Sequence, residues 1–338
     1  MIQKAIVKLS DRENLSHEEA ARCIDEIMSG QTSQAQTAAF LMGLAAKGET
    51  TEEIAACAQS MRAHATRFRH DSEVMEIVGT GGDRSNTFNI STTSAIVTAA
   101  GGVKVTKHGN RAASSKCGAA DVLESLGVNI ALEPEFMERV FHEADIAFMH
   151  AQVYHSSMRH VAPVRKELGC HTVFNILGPL TNPAFNTMQI MGVYSGELVV
   201  PMAEVLMKLG VKDGMVVFGD DVMDEVSMSS TTSVCEFHDG AYECYRVAPE
   251  DFGFQRCEKS ELSGGDPEEN AKIVRAILGA QERGCRRHAV QLNAGAALYI
   301  AGRAGSYRDG VRLAGDIIDS GAAARKLEQF VRLTNRIA

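Results

Sequence analysis

Hydrophobic and polar positions in the N-terminal seventy residues follow a helical period. Ser16 and Glu19 have the spacing of a capping box, and Thr50 and Glu53 repeat that spacing further along. Between these two signals, residues 35–46 are rich in Ala, Leu and Met. No apolar run in this part of the chain has the length and flanks of a strand. We therefore expect a small bundle of consecutive helices.

From Met75 onward the pattern changes to short apolar runs that alternate with helical periods. The apolar runs predict strands at residues 75–78, 102–105, 146–149, 188–193 and 215–218. The helical periods predict helices at residues 120–126, 134–144, 156–168, 197–209 and 267–278. Strands that alternate with helices form a mostly parallel sheet covered on both faces. The chain is thus expected to be an α/β protein with a small N-terminal helical domain.

Composition narrows the class of protein. The chain has 338 residues, a formal net charge of −9 and scattered lysines and arginines, which argues against nucleic-acid binding. No apolar run approaches the ~20 residues of a membrane span, and the first residues lack a signal-peptide pattern. The eight cysteines contain no CxxC pair. We expect a cytoplasmic protein with reduced thiols and no membrane association.

A glycine-rich run follows the first predicted strand. The sequence Gly-Thr-Gly-Gly-Asp occupies residues 79–83, shortly before a helix predicted to begin near Asn89. Glycines let backbone amides approach an anion, and the helix N-terminus adds partial positive charge. The alternative is a tight turn that needs glycine for its backbone alone. Asp83 would repel a bare phosphate, so the expected ligand is a phosphate that carries a metal ion or a ribose.

A second polar run, residues 107–116, follows the next predicted strand. Lys107 offers a point charge, Arg111 a planar fork, and Ser114 and Ser115 offer hydroxyls, a combination that suits a second phosphate. The alternative is a solvated basic loop. Two anion sites one strand apart indicate one ligand with phosphates at both ends.

An acidic run follows the strand predicted at residues 215–218. Asp220, Asp221, Asp224 and Glu225 are its carboxylates. Carboxylates at the C-terminal end of a strand suit a hard divalent cation, whereas an isolated acidic loop is usually only solvated. Because two phosphate-binding loops are also predicted, we interpret this acidic run as a Mg²⁺ site and not as a solvated loop.

A fourth region combines residues 154–165 with residues 174–183. Arg165 is suited to bind a carboxylate through two hydrogen bonds, and the proline-bounded second part is suited to line a flat ring. The alternative is a surface arginine followed by a structural turn. The histidine spacings do not indicate zinc, and no Ser, His and Asp set has nucleophilic order.

Taken together, these motifs resemble the anthranilate phosphoribosyltransferase family. The resemblance continues beyond them and spans nearly the whole chain. The residues that carry it are 79–83, 89–92, 107–111, 161–165, 174–183, 224–225, 249–253, 264–270 and 292–299.

The resemblance implies a two-domain organisation. Residues 1–70 with 164–190 would form a helical dimerisation domain, and residues 71–163 with 191–338 an α/β domain that binds phosphoribosyl pyrophosphate. It further implies a homodimer joined through the helical domain and an active site in the cleft between the domains.

The resemblance also implies site residues. Phosphoribosyl pyrophosphate would be bound by Gly79, Gly82, Asp83, Thr87, Asn89, Ser91, Thr92, Lys107, His108, Gly109, Asn110, Arg111, Ala112, Ala113, Ser114, Ser115 and Ala119. Anthranilate would be bound by Gly79, His108, Asn110, His155, Arg165 and Pro179. Mg²⁺, expected as two ions, would be bound by Ser91, Asp224 and Glu225.

Some residues depart from the family pattern. Many members have Gly at the position of Arg84, Ser at that of Ala119, and often Arg at that of His171. Gly-Leu is common where Val222-Met223 stands, and Gly-Pro where Ser230-Thr231 stands. These changes bear on substrate affinity more than on the class of reaction.

The implied reaction is displacement of pyrophosphate from ribose C1 by the amine of anthranilate, in tryptophan biosynthesis. No general base is obligatory, and His108 as a late proton acceptor is a hypothesis. Two alternatives remain: a pyrimidine nucleoside phosphorylase of the same architecture, and a non-catalytic relative that binds nucleic acid.

Overall fold

The chain begins with a group of four helices. In the computed structural model, which describes residues 1–112 and 115–336, they are α1 (Ile2–Ser10), α2 (His17–Met28), α3 (Gln34–Lys47) and α4 (Thr51–Ala63). Both predicted capping boxes are present, since Ser16 and Glu19 exchange hydrogen bonds at the start of α2 and Thr50 and Glu53 do so at the start of α4. The helical prediction for this segment is confirmed.

A mixed sheet forms the centre of the larger part. Its strands are β1 (Met75–Gly79), β2 (Val105–Gly109), β3 (Ile146–His150), β4 (Met188–Gly192), β5 (Asp213–Gly219), β6 (Thr232–His238) and β7 (Ala241–Val247). Their order is β3-β2-β1-β4-β5-β6-β7. The strands from β3 to β5 are parallel, whereas β6 and β7 are antiparallel. The expected small helical domain and larger α/β domain are confirmed.

Helices connect and cover these strands. They are α5 (Ile90–Ala100), α6 (Ala119–Ser125), α7 (Pro134–Ala144), α8 (Ala151–Tyr154), α9 (Ala162–Leu168), α10 (Phe174–Leu180), α11 (Val199–Lys208), α12 (Pro267–Leu278), α13 (Cys285–Ile300), α14 (Tyr307–Asp319) and α15 (Ala322–Arg336). Short 3₁₀ turns lie at Ser156–His160, Gly196–Leu198, Pro249–Phe252 and Lys259–Leu262. No helix of the described residues is both long and apolar enough to cross a bilayer.

The strands bury side chains on both faces of the sheet. In β5, Met215 and Val217 belong to one apolar core, while Val216 between them belongs to the other. Ile190 and Met191 of β4 divide in the same way. Because successive strand residues point to opposite faces, this alternation means that helices cover both sides.

One of the two cores is shared between the helical bundle and the sheet. It contains residues of α1–α4 together with α9, α10, α11 and one face of β4, β5 and β6. The segment predicted to join the helical domain was 164–190. In the structure α9 begins at Ala162, two residues before that segment, and β4 begins at Met188, two residues before its end. Residues 188–190 therefore lie in the sheet.

Two local predictions were wrong. The second strand is not at residues 102–105 but at Val105–Gly109, because Gly102 occupies a turn with φ of 80° and the strand continues through buried Lys107 and His108. The helix predicted at residues 156–168 is a 3₁₀ turn followed by α9, since Pro163 fits a first helical turn but cannot continue a helix. The β6–β7 hairpin was not predicted.

The topology marks one position on the edge of the sheet. From β1 the chain moves to β2 on one side, whereas from β4 it moves to β5 on the other side. In open α/β sheets, ligands bind at the C-terminal ends of strands where the order reverses. The ends of β1 and β4 are therefore the expected place for a site.

Candidate active site

The paired glycines at the ends of β1 and β4 make room for an acid. Gly79 and Gly192 are neighbours in the sheet, and Asp224 from the loop after β5 lies across both of them. A Cβ atom at Gly79 would collide with the Asp224 carboxylate, and one at Gly192 with the Asp224 backbone. Glycine at both positions is thus what lets Asp224 lie at the switch point.

The glycine-rich loop after β1 binds that acid through its backbone. The amide of Gly81 donates a hydrogen bond of 2.6 Å to Oδ2 of Asp224. Gly81 and Gly82 have φ values of 67° and 82°, in the left-handed region that favours glycine. The loop predicted to bind phosphate and the loop predicted to bind metal therefore lie against each other.

Three carboxylates gather where the two loops meet. The amide of Asp224 donates to Oδ2 of Asp83 at 3.5 Å, and Thr87 donates to Oε2 of Glu225 at 3.3 Å. Burial raises the pKa of Asp224 and that of Glu225, and in both cases the neighbouring acids raise it further. Asp220 of the same loop pairs with Arg246, but within the described residues Asp83, Asp224 and Glu225 form no ion pair.

This arrangement fits a hard divalent cation. The carboxylates are oxygen donors, two of them are buried, and their mutual repulsion is a cost that a cation would offset. Ser91, the third predicted metal ligand, lies in the first turn of α5, behind the glycine-rich loop.

The start of α5 joins the glycine-rich loop to the loop after β2. Asn89 stands at the N-cap position of α5 without a capping hydrogen bond from its side chain, which instead donates to the Cys117 carbonyl at 3.2 Å and accepts at Oδ1 from Asn270 of α12 at 2.9 Å. The Thr92 hydroxyl is buried and has no hydrogen-bond partner among the described residues.

The second predicted phosphate region begins inside the sheet. Lys107 is a buried residue of β2 whose ammonium group donates to the Ile77 carbonyl at 2.7 Å, and Gly109 ends the strand. Burial lowers the pKa of Lys107. The expectation that Lys107 lies in a loop after the strand was wrong, because Lys107 is a buried residue of β2 itself, and so was the alternative of a solvated basic loop for this residue.

Residues 110–112 and 115–116 of that region are exposed. Arg111 pairs with Asp121 at 3.0 Å and with Glu124 at 2.8 Å. The Asp121 carboxylate also accepts from the amide of Ala112 at 2.8 Å. The remaining predicted residues are placed as follows: Asn110 follows β2, Ser115 donates to the Cys117 carbonyl at 3.3 Å, Ala119 begins α6, and Ala113 and Ser114 lie outside the described residues.

Two buried histidines lie side by side near the end of β2. The ring centroids of His108 and His155 are 4.9 Å apart, and Nδ1 of His108 lies 3.2 Å from the carbonyl oxygen of Gly178. Nε2 of His108 and both ring nitrogens of His155 have no hydrogen-bond partner among the described residues. Burial lowers the pKa of His155 to about 4 and that of His108 well below its ordinary value. Both rings are therefore neutral at physiological pH.

Pro179, predicted to line the aromatic ring of the substrate, and Arg165, predicted to bind its carboxylate, lie in α10 and α9. Pro179 is buried next to Gly178 in α10. At the other end of α10, the guanidinium of Arg165 lies over the Phe174 ring, 5.6 Å from its centroid. Arg165 is half-buried and has no carboxylate partner among the described residues, and burial lowers its pKa. It is a desolvated cation without a counter-ion.

Sequence reasoning missed several residues that support this site. Glu76 of β1 is fully buried and accepts from the His108 amide at 3.0 Å and from the Asn182 side chain. Burial raises the pKa of Glu76. A charged residue inside an otherwise apolar strand was the available signal. Nearer the glycine-rich loop, His171 and Tyr194 form an edge-to-face pair with centroids 4.9 Å apart.

Comparisons with known proteins give one family. Residues 3–65 match the helical bundle domain of a glycosyl transferase family, and residues 71–324 match the a/b domain of that family. Among solved structures, anthranilate phosphoribosyltransferase from Thermus thermophilus is similar with a TM-score of 0.94 and 44% identity, over 98% of this chain and 99% of that one. The Saccharomyces cerevisiae enzyme in complex with PRPP and Mg has a TM-score of 0.91 and 28% identity, over 99% and 98%.

Curated relatives match this chain over nearly its full length. The anthranilate phosphoribosyltransferase of Methanobrevibacter smithii is 57% identical over 335 residues, which are 99% of this chain and 100% of the relative. That of Lachnoclostridium phytofermentans is 51% identical over 336 residues, with the same coverage. The chain therefore belongs to the anthranilate phosphoribosyltransferase family.

Proposed function

We propose that this protein transfers the phosphoribosyl group of phosphoribosyl pyrophosphate to the amine of anthranilate. The products are N-(5-phosphoribosyl)anthranilate and pyrophosphate. The observation that carries the proposal is the cluster of Asp83, Asp224 and Glu225 at the switch point, which forms no ion pair within the described residues and contacts the glycine-rich loop. It meets the needs of a metal-bound pyrophosphate, and the related yeast enzyme has been solved with PRPP and Mg.

Mg²⁺ would be held by Asp224, Glu225 and Ser91, and we propose two ions. When bound, the metal neutralises the charge that develops on the departing pyrophosphate. The chain itself would add the backbone amides of Gly82 and Asp83 and the N-terminus of α5, since the amides of Thr80 and Gly81 already donate to the Gly192 carbonyl and to Asp224. Such preorganised donors stabilise the leaving anion more than the substrate.

The phosphate at the other end of the substrate would be bound between β2 and α6. There Asn110, Arg111, Ala112 and Ser115 follow the end of β2 and Ala119 begins α6, and the fork of Arg111 would exchange its partners Asp121 and Glu124 for phosphate. Ala113 and Ser114 are proposed to bind the same phosphate and lie outside the described residues. The ammonium group of buried Lys107 in β2 would contribute positive charge to this phosphate site without contacting the phosphate.

Anthranilate would lie against the surface formed by His108, His155 and Pro179, with Gly79 and Asn110 beside it. The two imidazoles contact each other, with ring centroids 4.9 Å apart, so the flat ring would pack on the pair and not between them. The neutral imidazoles and the proline make an apolar surface for that ring, and the imidazole nitrogens that have no partner among the described residues offer hydrogen bonds. Arg165 would bind the carboxylate, because it is desolvated and lacks a counter-ion.

The reaction does not require a strong base from the protein. An aromatic amine attacks through its lone pair without prior deprotonation, and the ammonium formed on attack is strongly acidic. Neutral His108 is a weak base with a free Nε2, which suffices as a late proton acceptor. Closure of the cleft between the two domains would align the amine with C1 and exclude water that would hydrolyse the activated sugar.

We propose a homodimer joined through the helical domain. On α3, Ala35, Ala39, Met42 and Ala46 are exposed and recur at the spacing of one helical face. An apolar stripe of this kind is suited to a second copy of the same helix. We also propose a cytoplasmic location, because all eight cysteines are free thiols.

The test is the loss of anthranilate fluorescence on addition of phosphoribosyl pyrophosphate and Mg²⁺. The expected result is a decay that requires all three components and releases pyrophosphate. A pyrimidine nucleoside phosphorylase would instead release base from a nucleoside in the presence of phosphate. A nucleic-acid-binding relative would leave anthranilate untouched and give a salt-dependent gel shift.

A further inference from the structure

A second group of metal-type ligands lies apart from the acidic cluster. We propose that Cys257, Glu261 and Cys285 form a site for a soft divalent metal ion of the zinc class. One ligand atom from each residue lies within 4.8 Å of the other two. Cys257 precedes the 3₁₀ turn Lys259–Leu262, which carries Glu261, and Cys285 is the first residue of α13.

The spacing fits tetrahedral coordination. Ligand bonds of about 2.3 Å to sulfur and 2.1 Å to oxygen place the sulfur and oxygen atoms roughly 3.6 Å apart around one zinc ion. The observed distance from Cys285 Sγ to Glu261 Oε2 is 3.7 Å. Glu261 is exposed and both cysteines are half-buried, so an ion can enter and water can take the fourth position.

Neighbouring groups already hold two of the three ligand residues, Cys257 and Glu261, in place. Glu261 Oε1 accepts from the Glu258 amide at 3.0 Å, which leaves Oε2 turned toward Cys285. The Cys257 amide donates to the Met228 carbonyl at 3.1 Å. Arg286 donates to the Glu261 carbonyl at 3.0 Å. Such outer contacts orient metal ligands.

Charge favours the same occupant. Two thiolates and one carboxylate carry three negative charges, which a divalent cation and the adjacent Arg286 would balance. In the metal-free protein burial raises the pKa of Cys257 and that of Cys285, so both are thiols and each would release its proton on binding the ion; the partial positive charge at the start of α13 offsets part of that cost at Cys285. Soft sulfur ligands select zinc-class ions over Mg²⁺, so this site does not compete for the ion of the acidic cluster.

A bound ion would brace one wall of the active site. The segment that contains Cys257 and Glu261 contacts the substrate loops, because the Phe88 amide donates to the Leu262 carbonyl at 3.0 Å and the Gly264 amide to the Asn86 carbonyl at 2.9 Å. Cys285 belongs to α13, in the core of the α/β domain. The ion would therefore fasten the wall to that core.

The experiment is a Co²⁺ titration of the full-length protein after treatment with chelator and reductant. We expect a thiolate-to-Co²⁺ charge-transfer band that saturates at one Co²⁺ per chain and disappears on addition of Zn²⁺. Oxygen ligands do not give this band, so binding at the acidic cluster does not interfere. The band should be lost in Cys257→Ser and Cys285→Ser, and Glu261→Gln should weaken Co²⁺ affinity about tenfold or more.

Cys244→Ser is the matched control. Cys244 faces Cys235 across the β6–β7 pair, so it also removes one of two neighbouring thiols but leaves the proposed site intact. Cys285→Ser is the variant least disturbed in folding, because serine is tolerated in a first helical turn. Zn²⁺ should raise the Tm of the wild type and of Cys244→Ser by several degrees but leave that of Cys285→Ser unchanged.

Three outcomes would overturn the proposal. They are the absence of a charge-transfer band, a band that persists in Cys285→Ser, and a band lost in Cys244→Ser. Formation of a Cys257–Cys285 disulfide under mild oxidation, in a protein that binds no Co²⁺, would assign the pair to redox chemistry instead.

Discussion

At the scale of single residues, two side chains beside the acidic cluster hold unfavourable backbone conformations. Arg84 has a φ of 58° and Val222 a φ of 62°, where glycine is favoured and a β-branched residue is rare. Many family members have glycine at both positions. Lys259 donates to the Val222 carbonyl at 3.2 Å, which helps to hold the turn. This chain therefore keeps two strained residues next to its proposed metal ligands.

Val222→Gly should stabilise the protein. Glycine relieves the left-handed strain but increases the entropy of the unfolded chain, so we expect a net gain of about 1 kcal/mol in the free energy of unfolding. The gain corresponds to a rise in Tm of roughly 2 °C by calorimetry. Val222→Ala removes the β-branch but not the left-handed penalty, and should gain less. An unchanged or lower Tm for the glycine variant would contradict this account.

Arg165→Ala should raise the KM for anthranilate far more than that for phosphoribosyl pyrophosphate. Loss of a charge-assisted hydrogen bond costs about 1.5 to 3 kcal/mol, or roughly ten- to a hundredfold in KM. Steady-state kinetics with each substrate varied in turn would measure both constants. Arg159→Ala, at an exposed arginine in the preceding turn, is the control. Equal changes in the two constants would show that Arg165 is structural.

At the scale of elements, the position of a helix or loop was predicted correctly where the residues of that segment alone determine its conformation. The start of α5 and the glycine-rich loop before it were predicted because Gly79 to Asp83 and Asn89 have strong local signals. The extent of β2 was not predicted, because Lys107 and His108 are polar by type and become strand residues only when Glu76 accepts the His108 amide. Pairing across strands leaves no signal in the sequence of either strand.

The same limit applied to the candidate site. The acidic residues and the glycine-rich loop of the site could be identified from the sequence, but the contacts between them could not. Gly192 gave no signal by itself, since its function depends on Asp224 from another loop. The His108–His155 pair likewise joins the end of β2 to the segment after α8.

Met42→Glu should convert the proposed dimer to a monomer. Met42 lies on the exposed stripe of α3 and is itself 38% exposed, so a carboxylate there is tolerated in the free chain but not in an apolar interface. Light scattering at micromolar concentration would report the mass. Tyr242→Glu, at a 46% exposed apolar residue of β7, is the matched control and should leave the mass unchanged. A wild-type monomer would exclude the interface.

At the scale of the whole molecule, the acidic cluster couples stability to pH. Burial and the neighbouring Asp83 raise the pKa of Asp224 to about 7, and the pKa of Glu225 is also raised. A carboxyl group with a higher pKa in the folded than in the unfolded chain binds its proton more tightly when folded. The stability contributed in this way is present at low pH and is lost as the pH rises through about 7.

Asp224→Asn combined with Glu225→Gln should therefore flatten the pH dependence of Tm in metal-free solution. At a pH above about 7 the double variant should melt at the same or a higher temperature than the wild type, and Mg²⁺ should raise the Tm of the wild type alone. Turnover should fall by about a hundred- to a thousandfold, because the leaving pyrophosphate loses its counter-ion.

The control for that double variant removes two exposed carboxylates of the β6–β7 hairpin, Asp239→Asn with Glu243→Gln. It should change neither the pH profile nor turnover. A large drop in Tm with turnover preserved would mean that Asp224 and Glu225 are structural.

The shared apolar core makes the helical bundle and the sheet depend on each other. A chain that lacks residues 1–65 would expose the faces of α9, α10 and α11 that pack against α1–α4. We expect such a chain to lose its sharp calorimetric transition, and the separately added fragment 1–65 to restore it. A cooperative transition in the truncated chain alone would show that the α/β part is independent.

This shared core also sets an order of events during synthesis on the ribosome. The helices α1–α4 emerge first, but the residues of α9, α10 and α11 that complete their core follow only after β1, β2 and β3 have been made. Until then the nascent bundle presents an uncovered apolar surface, of the kind that chaperones bind. The last step of folding for the N-terminal helices is thus set by the arrival of the middle of the chain, and translation speed through β1–β3 determines how long that surface stays open.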